Sequence, residues 1–273
     1  MMRALYTAAT GMIAEQTNVD TIANNLSNVN TTGFKAERTE FKSLLYQTLQ
    51  TRTTTANGEQ KPVGAQVGLG TRVAATMSMY TQGSLTNTEI DTDFAIEGDG
   101  FFAVRDIDGE TYYTRSGAFT WSITADGRTI LADSEGCPVL DREGNEIVVP
   151  EGVSSESMVF GKNGSISYKD QTTGNVISLN QFFGIYQFNN PAGLEKLSST
   201  KLMATPASGN PMQEGTTPGL KLSKVHHKWL EASNVQVADE MVNMIIAQRA
   251  YELNSKAIQT ADSMLDTANQ LKR

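Results

Sequence analysis

Two seven-residue apolar repeats, one at each end of the chain, constrain the fold more than any other feature. At the N-terminus Leu5, Met12, Val19 and Leu26 recur every seventh residue, beside a second row at Ala8, Ile22 and Val29 that Glu15 interrupts. At the C-terminus Val237, Met244, Tyr251, Ile258 and Leu265 form one row, and Ala247, Ala261 and Ala268 form its companion, interrupted by Glu240 and Asn254. Sustained heptads favour helices that wind left-handedly around a partner, and small alanines let the axes come close. A single repeat is accounted for by an amphipathic helix on an ordinary core. Two repeats at opposite termini favour pairing the first helix with the last. The stretch 17–32 is dense in Asn, Thr and Val, which are poor helix formers. Isolated helices of that kind are marginal in water. The ends are therefore expected to be disordered in the free monomer and to order on packing with other subunits.

The helix breakers divide the chain in the same way. All seven prolines lie between Pro62 and Pro218, residues 1–60 contain only Gly11, Gly33 and Gly58, and no glycine follows Gly219. In NTTGF, residues 30–34, Gly33 is the expected left-handed stop of the first helix. Residues 46–70 are polar and then glycine-rich, and read as an extended excursion or hairpin. The centre alternates short strand candidates with turn pairs at Asp108-Gly109, Asp126-Gly127, Gly144-Asn145 and Asn163-Gly164. The expected fold is α+β. Terminal helices (1–40 and 231–273) pair as a coiled coil, a connecting segment (41–85 and 219–230) carries the extended insertion, and an antiparallel β-rich domain spans 86–218.

Charge follows this division. The net charge is −8, yet residues 1–60 sum to zero, 220–273 to +1 and 61–219 to −9. An acidic chain without a basic face is a poor nucleic-acid binder. One cysteine, Cys137, excludes an intrachain disulfide framework or a Cys-based zinc site. The start of the chain meets Glu15 before any continuous apolar core, so no cleaved secretory signal is expected, and no run is long enough to span a bilayer.

Motifs with chemical potential are outweighed by plainer readings. Gly64, Gly68 and Gly70 have a dinucleotide-binding spacing, but the preceding TTTANGEQKP is not a buried strand. Asp106, Asp108 and Glu110 open like a calcium loop and lack its distal ligands, so a hairpin tip is expected. The pairs Asp91/Asp93 and Glu97/Asp99 read as solvated faces rather than acid–base pairs. His226 and His227 are adjacent and point apart, so they do not chelate one ion. Cys137 reads as a packed thiol, and Ser116 lacks a nucleophile-elbow pattern. No catalytic constellation, cofactor site or metal site emerges, and the chain is expected not to be an enzyme.

The N-terminal stretch through ANNLSNVNTTGFK, residues 23–35, resembles the signature of the flagellar rod and hook family. It includes Asn24, Asn25, Leu26, Asn28, Val29, Asn30, Thr31, Thr32, Gly33 and Phe34. Residues 230–271 resemble the matching C-terminal signature, and IEGDGFFAV (96–104) and YTRSGAFT (113–120) resemble central motifs of the family. One departure is VHHKWLEASNV (225–235), where family members usually have glycine and a small polar residue before the LE. The resemblance implies a structural building block that stacks into a hollow helical homopolymer, with helices inside and the β domain outside, transmitting torque. The implied partners are further copies, proximal rod subunits, a hook or hook-junction protein, basal-body ring proteins and the flagellar export apparatus. It also implies location in the basal body after export without a cleaved signal peptide. Three other readings stay open on the residues alone: another axial subunit, a secreted β-rich enzyme on a helical stalk, and a cytoplasmic coiled-coil binding module.

Overall fold

The computed structural model describes residues 2–50, 65–106, 108–124, 126–150, 152–170, 175–198 and 200–271. The chain divides into two compact units. One comprises Met1–Ser27, Glu37–Ser78 and Gln236–Arg273, the other Asn28–Ala36 and Met79–Val235. The class is α+β, with helices α1 (Met2–Ser27) and α2 (Val237–Gln270) and many antiparallel strands between them in sequence.

In the first unit α1 and α2 pack on each other. A Cβ added at Gly11 would stand 2.9 Å from the Asn254 amide, and Asn25 bonds the Glu240 carboxyl. These two contacts lie fourteen residues apart on each helix and run in opposite directions, so the helices are antiparallel. Ala8, Ala14 and Ile22 of α1 and Ala247 and Ala261 of α2 are buried. Asp239 and Glu240 occupy the first turn of α2, where carboxylates complement the helix dipole. The strands Glu37–Ser43 and Thr71–Ser78 pair antiparallel, slipping register between Glu40 and Phe41, and both pack on α1. Tyr46–Gln50 pairs with Ala65–Gly68, and the intervening part of the polar insertion, 51–64, lies outside the described residues.

α1 ends at Ser27, earlier than the NTTGF reading places it. The Thr31 N–H donates to the Asn28 carbonyl, and its Oγ1 donates to Asn28 Oδ1 at 3.1 Å. The two side chains thus bond each other across a backbone turn that follows the last helical residue. Val29 therefore leaves the helical seam. Gly33 does have a left-handed φ of +70°, but it acts in a turn beyond the helix.

The second unit is built on a six-stranded antiparallel sheet. Its order is Glu195–Lys196, Lys201–Met203, Thr111–Thr114, Phe101–Arg105, Ile185–Gln187, Met212–Gln213. In the central strand, Phe102 and Val104 enter one apolar cluster with Phe94, Phe119, Leu131 and Phe183. Phe101 and Ala103 enter the other, with Tyr113, Phe188 and Leu202. Burial on both faces explains why FFAV is a continuous apolar run rather than an alternating one. The Asp108-Gly109, Asp126-Gly127 and Asn163-Gly164 pairs sit in the turns joining paired strands, with glycine φ values of +81°, +77° and +76°. EIVVP forms isolated bridges, Leu140 to Glu146 and Ile130 to Val148, rather than a strand.

Candidate functional site

The N-terminal motif is a set of backbone clamps. In the first unit Asn25, 1 % exposed, donates from Nδ2 to the Glu37 carbonyl and accepts the Glu37 N–H on Oδ1, both at 2.8 Å. A short polar side chain thus acts as an extra strand partner, which Asp or Gln cannot reproduce at the same reach. Asn24 is exposed and reaches Glu37 Oε2 at 3.4 Å, while Leu26 is half-buried.

In the second unit Asn30 is exposed, whereas Asn28, Val29, Thr31 and Thr32 are partly buried. Thr32 Oγ1 meets Ser116 Oγ at 3.0 Å. Phe34 is buried beneath Lys196, whose Nζ stands 5.1 Å from the ring centroid. Gly33 packs so tightly that an added Cβ would lie 2.5 Å from the Ser116 nitrogen and 2.6 Å from the Arg115 carbonyl carbon.

Beside Gly33 lies a buried ion cluster. The Glu231 side chain is fully buried and accepts Lys35 Nζ at 2.6 Å and the Gly83 N–H at 2.8 Å on Oε1. Arg115 Nε lies 3.2 Å from Oε2. The Glu231 carbonyl accepts the Gly33 N–H at 2.8 Å. Arg115 also donates to the carbonyls of Gly98 (2.8 Å) and Gly100, and Lys35 to that of Thr81 (2.8 Å). Burial pulls the Lys35 ammonium below the usual lysine value, against the raising effect of Glu231. Asn234 adds a further clamp, accepting the Ala36 N–H at 2.7 Å and donating to the Met79 carbonyl at 2.7 Å. These charges were missed by the sequence reading, although GFK, TRSG and LEAS each carry one.

Of the heptad positions, Ile22 is buried, and Leu5, Met12, Val19, Leu26, Met244, Ile258 and Leu265 are partly buried. Val237 and Tyr251 are exposed, and Tyr251 lines a groove of about 390 Å³ with Gln16, Val19, Gln248 and Glu252. The interrupting residues Glu240 and Asn254 sit on the α1-facing side. Burial raises the Glu240 carboxyl above its ordinary value, against the bond from Asn25. A carboxyl that holds its proton more tightly in the folded state stabilises the fold fully below the ordinary value near 4.5. That contribution is lost as pH rises through the raised value. Glu240→Gln keeps a group that can pair with Asn25 and removes the charge. It is expected to raise the thermal midpoint of the helical unit at pH 7 and to flatten its decline above pH 4.5, measured by calorimetry across pH.

A second apolar side of α2 has no partner among the described residues. Met241, Val242, Ile245, Ile246 and Leu253 are each more than half exposed. One helix carrying apolar residues both toward α1 and away from it is built for contacts with more than one neighbour.

The remaining candidates fall into structural places. His226 Nε2 meets Glu97 Oε2 at 2.8 Å, while His227 Nε2 meets the Asp91 carbonyl at 2.8 Å and stacks on Phe94, so the two point to different partners. Cys137 is buried, its thiol pushed up by burial, between Asp106 Oδ1 (3.2 Å) and Lys201 Nζ (3.0 Å). Asp91, Glu97 and Asp99 are exposed, but Asp93 is buried, contrary to the solvated-face reading. It lies where the Lys228 N–H bonds its carbonyl and the chain bridges to Ala118. The glycine-loop reading begins at Gly64, outside the described residues.

Three family models match the chain. The "Flagella basal body rod protein" model covers residues 5–35, the "Flagellar hook protein FlgE/F/G D1 domain" model 95–168, and the "Flagellar basal body rod FlgEFG protein C-terminal" model 227–271. The flagellar basal-body rod protein FlgG of Borreliella burgdorferi is 47 % identical over 100 % of both chains. The chain belongs to the flagellar basal-body rod protein family. FlgG of Agrobacterium fabrum is 40 % identical over 96 % of this chain and 97 % of its own, and that of Bacillus subtilis 34 % over 100 % of both. As a rod-family member the chain is a structural component of the flagellar basal body. Each of the three matched regions contributes one charge to the ion cluster: Lys35, Arg115 and Glu231.

Proposed function

We propose that this chain is a structural subunit of the distal rod, self-assembling into a hollow helical drive shaft that carries motor torque to the hook. The observation that supports the assembly reading is the apolar side of α2, more than half exposed and without a partner among the described residues. An open polymer needs contacts that differ on the two partners and do not close, and a helix apolar on two sides supports them. In this reading α1 and α2 supercoil as a coiled coil, and Leu5, Met12, Val19, Ile22, Leu26, Met244, Ile258 and Leu265 serve the seam. Val237, Tyr251 and the turn residue Val29 extend the contact to neighbouring copies. The partners at its ends and flanks are proximal rod subunits, the hook or hook-junction protein, basal-body ring proteins and the export apparatus.

Finding the chain in the rod of purified basal bodies tests the assignment directly; its absence there would overturn it. The 46–66 insertion is assigned to a contact with a neighbouring copy that stiffens the rod. Deleting it is expected to give bent or incomplete rods by electron microscopy, and straight rods of normal length would remove that role. The helical ends are expected to be only partly ordered in the free monomer, in equilibrium with the packed α1–α2 pair, and to order fully on assembly. Circular dichroism of a dilute monomer should then show less helix than the 26 and 34 residues of α1 and α2 supply. Full helicity in the monomer would exclude it.

A further inference from the structure

We propose that Glu231 is a closing latch that keeps the β-rich unit open until the end of its last strand is in place. The ion cluster holds two cations against one carboxylate, and all three side chains are nearly or fully buried. Lys35 and Glu231 are 196 residues apart in sequence, and Arg115 and Glu231 are 116 apart. Glu231 closes the strand Trp229–Glu231, the last of the unit, which pairs with Leu85–Asn87. Its carboxylate and carbonyl together engage Lys35, Gly83, Arg115 and Gly33.

Synthesis runs from N- to C-terminus, so a growing chain makes both cations long before their anion. Until Glu231 arrives, closing the unit would bury Lys35 beside Arg115 with no counter-charge, which strongly disfavours the closed form. The order of the chain therefore delays closure to a point when nearly all of the β-rich unit has been made. The two-to-one charge ratio gives the latch an asymmetry. Removing Lys35 leaves a balanced Arg115–Glu231 pair, whereas removing the charge of Glu231 leaves two buried cations facing each other.

The test uses the full-length chain and limited proteolysis within residues 79–235. Glu231→Gln is expected to raise the cleavage rate by more than about 100-fold, as breaking a buried ion pair does. Lys35→Met alone is expected to raise it less than about tenfold, and adding Lys35→Met to Glu231→Gln to restore at least about tenfold of the lost protection. Partial rescue in the double variant supports the latch, even if Glu231→Gln alone does not fold. Equal sensitivity of the two single variants, or a double variant no more resistant than Glu231→Gln, would overturn it, because two unbalanced cations would then not be what holds the unit open.

Discussion

Gly33→Val is expected to abolish folding of the β-rich unit, at a cost of more than about 4 kcal/mol. Two penalties act together. The backbone is at φ +70°, a region that β-branched residues almost never adopt. The new Cβ would also meet backbone atoms of Arg115 and Ser116 at 2.5–2.8 Å, and backbone cannot swing aside as a flexible side chain can. Relief would pull Gly33 away from the Glu231 carbonyl and open the ion cluster beside it. Gly33→Ala shares both penalties without the branched side chain, and is expected to cost somewhat less. Urea denaturation followed by tryptophan fluorescence measures the effect, since Trp121 and Trp229 lie in this unit. A Gly33→Ala variant within about 1 kcal/mol of the parent would show that the turn relaxes freely.

Ile246→Asp should prevent rod assembly and motility while leaving the monomer almost unchanged. Ile246 is 61 % exposed in the single chain, so the substitution removes few contacts there and should shift monomer stability by less than about 0.5 kcal/mol. In a polymer that covers this side of α2, the carboxylate would be buried unpaired in every copy, a cost of several kcal/mol per contact. Ile258→Asp provides the contrast. Ile258 is partly buried on the α1-facing side, so its replacement should destabilise the monomer as well as the assembly. The pair is read by calorimetry on the purified protein and by swimming in complemented cells. Loss of motility in both variants, with a lowered thermal midpoint only for Ile258→Asp, separates the two sides of the helix.

The residues made some of this structure readable and concealed the rest for physical reasons. Turns at Asp108-Gly109, Asp126-Gly127 and Asn163-Gly164 were legible because a positive φ is a local demand that Asx-Gly meets locally. That the first helix packs on the last was legible because helix geometry converts a seven-residue period into one stripe, although Val237 and Tyr251 of that row are exposed. The end of α1 was not, because Asn28 and Thr31 close a turn with their side chains before the glycine is reached. FFAV reads equally as a one-sided or two-sided strand until its neighbours in the sheet are known. The ion cluster was hidden by separation: no local pattern pairs Lys35 with a glutamate 196 residues away. Asp93 was misread because acidic composition describes the average surface, not the one carboxylate fixed at a chain crossing.

The central claim, that the outward apolar side of α2 is covered by other copies, is tested most directly by thiol labelling at position 246. Cys137 is buried at 3 % exposure, so an Ile246→Cys chain offers one readily accessible thiol among the described residues. The reagent should label that thiol rapidly in the folded monomer and at least about tenfold more slowly in intact purified basal bodies. Equal labelling rates in the two states would contradict the account.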